Sequence, residues 1–152
     1  MLEKSMGRRD ALAFLGALTA AGFVLPRAAF ANWDKAAFEA KTMEDALKAL
    51  GAGTPAGSGE VQIVASDIAE NGAVVPVQAV SKLPNTERIA ILVEKNPSML
   101  AASYDLGPET VPDVTARIKM GQTSNVIVVV KADGKFYQAS KEIKVTLGGC
   151  GG

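Results

Sequence analysis

From Val61 onward the chain is punctuated by turn signals, and this constrains its fold more than any other feature. Asn71-Gly72, Leu83-Pro84-Asn85, Asn96-Pro97, Gly107-Pro108, Gly121 and Asp133-Gly134 cut it into segments of strand length. Asp-Gly is a strong signal for a two-residue hairpin, because both positions of a type I′ turn need positive φ. The segments between the turns are rich in Val, Ile and Ala. Candidate strands are residues 61–65, 74–80, 88–93, 100–105, 113–120, 126–132 and 135–147, the last with a break near Glu142. The expected fold is mainly β: an immunoglobulin-like antiparallel β-sandwich with an N-terminal helix and a flexible glycine-rich C-terminal tail.

Side-chain patterning refines this expectation. Thr115, Arg117 and Lys119 alternate with apolar residues, which gives their strand one wet face. Val126 to Val130 is apolar on both faces, so it needs cover on its outer side from the chain's own helix or loops, or from a partner subunit. Pro76 cannot donate to a ladder and marks 74–80 as an edge strand. Upstream, residues 34–50 hold Ala, Leu, Lys and Glu without Gly or Pro and read as one helix, capped by Asn32 or Asp34 and ended by Gly51. The small-residue linker 51–59 separates helix from strands.

The N-terminus reads as an address. Arg8-Arg9 precedes an almost uncharged run from Ala11 to Leu25, and Ala29-Phe30-Ala31 supplies a small-x-small cleavage pattern. Residues 1–31 are therefore expected to be a cleaved export signal, leaving a mature periplasmic chain that starts at Asn32. The run contains Gly16 and Gly22 and falls short of the roughly 20 residues that a bilayer requires, so no membrane span is expected. The arginine pair resembles a twin-arginine signal. Ala11 occupies the place where such signals carry a bulky apolar residue, so general secretory export is the alternative route.

Charge and chemistry exclude several functions. The chain carries 16 basic and 16 acidic side chains, and this balance speaks against nucleic-acid binding. It has no histidine and one cysteine, so neither a Ser-His or Cys-His nucleophile pair nor a metal site built on histidine or clustered cysteine can be assembled. No spacing of Asp and Glu singles out an acid–base pair. No catalytic residue, metal or cofactor is expected.

The lone thiol is Cys150, bracketed by Gly148, Gly149, Gly151 and Gly152 directly after the final strand pattern. Glycine lacks Cβ and samples positive φ freely, so residues 148–152 read as an arm carrying one nucleophile beyond the carrier domain, residues 32–147. Three extended residues reach roughly 10 Å. A lone cysteine cannot close a disulfide within its own chain, which makes it an attachment point. Lys141 and Lys144 lie close enough in sequence to place positive charge near the thiol and favour its thiolate. Two other readings fit the residues: an exported structural module using Cys150 for an intermolecular disulfide, and a ubiquitin-like carrier bearing sulfur on its terminal carboxylate.

The segment from Asn96-Pro97, the run Arg117-Ile118-Lys119-Met120-Gly121-Gln122-Thr123-Ser124 and the ending from Lys141 through Gly152 resemble the SoxY family, the sulfur-carrying subunits of the bacterial Sox thiosulfate-oxidising system. The resemblance implies a non-catalytic carrier, with Cys150 as attachment site for a covalent sulfur adduct and the four tail glycines providing reach. It also implies a heterodimer with a SoxZ-like subunit. The transient partners it implies are a c-type cytochrome complex that joins thiosulfate to the thiol, a manganese-dependent thiosulfohydrolase and a sulfane dehydrogenase.

Overall fold

The computed structural model describes residues 34–146. The expected export signal (residues 1–31), Asn32 and the tail residues Gly148, Gly149, Cys150, Gly151 and Gly152 lie outside the described residues. Within them the chain is mainly β, as the turn punctuation predicts.

Helix α1 (Lys35–Glu39) and helix α2 (Met43–Ala49) replace the single helix expected over 34–50. The break has a chemical cause. In a continuous helix the Phe38 carbonyl would accept the N–H of residue 42; here it accepts the Ser98 hydroxyl at 2.5 Å instead. Thr42 is then free to start a new helix in extended conformation, and its hydroxyl accepts the Asp45 N–H at 3.1 Å. Gly51, at φ +73, ends α2 as the sequence implies: its N–H reaches Lys48 O and the Ala52 N–H reaches Leu47 O, a Schellman closure.

Nine strands follow: β1 (Ala56–Gly57), β2 (Val61–Val64), β3 (Ile68–Ala69), β4 (Val75–Ser81), β5 (Thr86–Val93), β6 (Leu100–Asp105), β7 (Asp113–Ile118), β8 (Ser124–Ala132) and β9 (Lys135–Val145). One sheet runs β1-β9-β8-β5-β6, with β3 also on β9; the other runs β2-β4-β7. Their inner faces meet in a shared core. Val61, Val75, Val77 and Ala79 of the smaller sheet pack with Ile89, Ile91, Val93, Val126, Val128, Val130 and Ile143 of the larger. Arg117 and Thr115 are exposed on the outer face of β7, as their alternation implies.

Two expectations need correction. β4 is the central strand of its sheet, not an edge. Pro76 is tolerated because β2 pairs only with Gln78 to Ser81, so that Pro76 has a single neighbour, Arg117 of β7. β9 is unbroken at Glu142, pairing with β8 continuously from Lys135 to Ile143. Its hairpin turns at Asp133 (φ +49) and Gly134 (φ +70), both left-handed as Asp-Gly requires.

The doubly apolar strand β8 is covered from within the chain. Val129 faces a second core, in which Ala37, Ala40, Ala46 and Leu50 of the helical segment pack on Ala90, Leu92 and Leu100. This strand therefore gives no argument for a partner subunit. Alanine at the helix positions that meet the sheet keeps the contact shallow, which suits helices of five and seven residues.

Candidate functional site

The expected attachment residue Cys150 and the glycines around it lie outside the described residues, so the structure defines the place from which they depart. That place is the end of β9. Its other long edge is occupied at both ends by strands the sequence did not reveal: β1 pairs in parallel at Tyr137 and Gln138, β3 at Lys144 and Val145. Two-residue strands bury too little to leave a periodic signal.

Three backbone N–H groups in succession are held there. Lys144 donates to Asp67 O at 2.9 Å and Thr146 to Ala69 O at 3.1 Å. Between them, Val145 points the opposite way and donates to the Thr123 hydroxyl at 3.0 Å. Thr123 belongs to the run that carries the family resemblance, but nothing in the sequence marks its hydroxyl as the partner of Val145.

The corner beneath is tied by polar groups. The Asn96 amide donates to Lys119 O at 2.6 Å and its carbonyl oxygen accepts the Gly121 N–H at 3.3 Å. The Met120 N–H reaches Gly72 O, and the buried Ser124 hydroxyl accepts the Lys95 N–H at 3.0 Å. Asn96 and the run from Lys119 to Ser124, distant in sequence, thus converge where β9 ends.

Electrostatics at the corner differ from the sequence expectation. Lys141 Nζ donates to Ala65 O at 2.6 Å and sits 2.9 Å from the Asp67 carboxylate. Its charge is neutralised locally. Asp67 responds in kind: the Lys141 hydrogen bond first, then the Lys141 charge and a smaller contribution from Lys144, hold its carboxyl below the usual range. Lys141 therefore acts as a strut between β9 and the segment before β3, and Lys144 is the cation left exposed on this end of β9.

Among the described residues there is no cluster of acidic or other ligating side chains that could hold a metal. No described helix is long and apolar enough to cross a membrane. The carboxylates of Glu87 and Asp105 are engaged by Lys131 and Arg88 respectively.

The family model for the sulfur oxidation protein SoxY matches residues 46–150. A solved structure, the sulfur carrier protein SoxY from Chlorobium limicola f thiosulfatophilum, is 41% identical, with a TM-score of 0.63 over 72% of this chain and 96% of that one. Superoxide reductase (neelaredoxin) from Ignicoccus hospitalis is similar in fold alone: 17% identity and a TM-score of 0.51 over 57% of this chain and 80% of that one. No curated protein matches.

Proposed function

The chain belongs to the SoxY family, and from that premise we propose that it is a covalent carrier of sulfur intermediates, with Cys150 as the attachment site. The observation that carries this reading is the anchored end of β9, from which the sequence Gly148-Gly149-Cys150-Gly151-Gly152 continues. A carrier needs a rigid base and a slim extension. The hydrogen bonds on Lys144, Val145 and Thr146 supply the base, and glycines flanking the thiol supply the extension.

The chemistry is one of attachment rather than catalysis. The Cys150 thiol and thiosulfate form a sulfur–sulfur bond, releasing two electrons to a c-type cytochrome complex and one proton to solvent. Water then cleaves the terminal sulfone as sulfate on a manganese-dependent thiosulfohydrolase, releasing two protons and leaving a persulfide on Cys150. A sulfane dehydrogenase oxidises the sulfur that remains. Cysteine's ordinary pKa near 8.5 leaves only a few per cent thiolate at pH 7, so the arm stays quiet until a partner activates it. With Lys141 bound to Asp67, that activation comes from the partner's site. A SoxZ-like subunit completes the carrier as a heterodimer in the periplasm, and no cofactor is required of this chain.

The test is an intact mass of natively purified protein before and after reduction, in wild type and in Cys150→Ser. Sulfur-containing mass additions that vanish on reduction and never occur in the serine variant are expected. Adducts that persist on Cys150→Ser would overturn the assignment, and a disulfide-linked homodimer without adducts would favour a structural module.

A further inference from the structure

The β8–β9 ladder closes at Ser124 opposite Ile143. Continued in the same register it would set Val145 opposite Gln122, which lies in the bend before β8 and outside the ladder. The Thr123 hydroxyl takes the place of a ladder carbonyl and accepts the Val145 N–H at 3.0 Å. The neighbouring donors on Lys144 and Thr146 are held from the opposite side by Asp67 and Ala69. Val145 is thus gripped across the strand, with one of the two grips made by a single side chain. The loop presenting that side chain is in turn fixed by Asn96, through Lys119 O and the Gly121 N–H.

We infer that Thr123 is a positioning residue that fixes where the C-terminal arm leaves the sandwich, an inference that rests on the carrier reading above. With the grip intact, the arm to Cys150 is rooted at Thr146. Without it Val145 loses its hold on the β8 side, and the end of β9 is left to the bonds of Lys144 and Thr146 on the β3 side alone, free to swing about them. The direction in which the chain leaves the sandwich is then no longer set, and the effective concentration of Cys150 for a docked enzyme falls. The consequence belongs in KM, because the chemistry at the sulfur atom is unaltered once the arm is seated.

The experiment uses the full chain with its partner subunit, carrying Thr123→Val, Thr123→Ala or Thr123→Ser. Amide exchange is read at Val145 and Thr146, and KM and kcat of the thiosulfohydrolase are measured on the thiosulfate-loaded carrier. In the Val and Ala variants exchange at Val145 accelerates about ten-fold, the equivalent of one hydrogen bond to a hydroxyl, and KM rises at constant kcat. Thr123→Ser retains the acceptor and restores both. Reaction of Cys150 with a small maleimide is the same in all. Wild-type exchange at Val145 in both Val and Ala variants would overturn the grip; accelerated exchange with unchanged KM would overturn its role in delivery. Should the wild-type chain acquire no adduct, the carrier reading fails separately, and exchange alone decides whether Thr123 holds the strand end.

Discussion

Leu92→Ala tests whether the outer face of the large sheet is covered by this chain itself. Leu92 is fully buried in the layer formed by Ala37, Ala46 and Leu50 above and Ala90, Leu100 and Val129 beside it. Truncating a buried leucine to alanine costs its transfer free energy plus the cavity it leaves, 2–5 kcal/mol in well-packed sites, and the small alanines opposite cannot move in to fill the space, so we expect about 3 kcal/mol. With a urea m-value of about 1.5 kcal/mol/M, the unfolding midpoint of the isolated subunit falls by about 2 M. Ile91→Ala, which faces the core between the sheets, should cost a comparable amount and serves as control. The assay is urea unfolding of the subunit without any partner, followed by far-UV circular dichroism. If a partner subunit were the true cover, Leu92 would be wet in the isolated chain and its truncation nearly silent. A loss below about 1 kcal/mol for Leu92→Ala, beside a full loss for Ile91→Ala, would refute the packing of α1 and α2 on this face.

Asp67→Asn reports on the Lys141 strut. The Asp67 carboxyl titrates below its ordinary range in the folded state, so its contribution is present above the unfolded carboxylate pKa and lost as pH falls through the lowered folded one. Wild type should therefore exceed Asp67→Asn in urea midpoint at pH 7, with the gap closing on acidification below about pH 4; a gap independent of pH would contradict the ion pair. The double variant Gly149→Val, Gly151→Val should keep its melting temperature, its pairing with the partner subunit and its reaction with a small maleimide, yet lose most turnover by the partner enzymes, since β-branched residues thicken and stiffen the arm. Near-normal turnover would show that enzymes reach Cys150 from outside. N-terminal sequencing of periplasmic protein should begin at Asn32, and export that survives replacement of both Arg8 and Arg9 by Lys would exclude the twin-arginine route.

The parts legible in sequence were those with a repeat or an unambiguous turn. Asp133-Gly134 fixed the β8–β9 hairpin because few other dipeptides tolerate two positive φ values, and Thr115 and Arg117 fixed the wet face of β7 through period-two alternation. What stayed hidden was decided by atoms far away along the chain. Helix propensity over 34–50 was continuous, and the break falls where the Ser98 hydroxyl, 60 residues downstream, donates to Phe38 O and Thr42 caps a second helix. Pro76 looked like an edge residue because the sequence does not say how far β2 extends. For the functional site the division is sharper: Cys150 and its glycines stand out by composition, whereas Thr123, Asp67 and Ala69 act through single contacts with distant residues that no sequence period reveals.

The strand that leads to the tail is also the one most shared by its neighbours. β9 pairs with β8 along one edge and with β1 and β3 along the other, and Ile143 reaches the core between the sheets. Of the described strands it is the last to be synthesised, and its partners at Asp67 and Ala69 were made 77 residues earlier. A nascent or prematurely ended chain lacking β9 would leave β8 with an open apolar edge and β1 and β3 with nothing to pair against, so closure of the sheet waits for β9. A chain that has closed its large sheet is therefore one whose synthesis has passed Val145, five residues before Cys150.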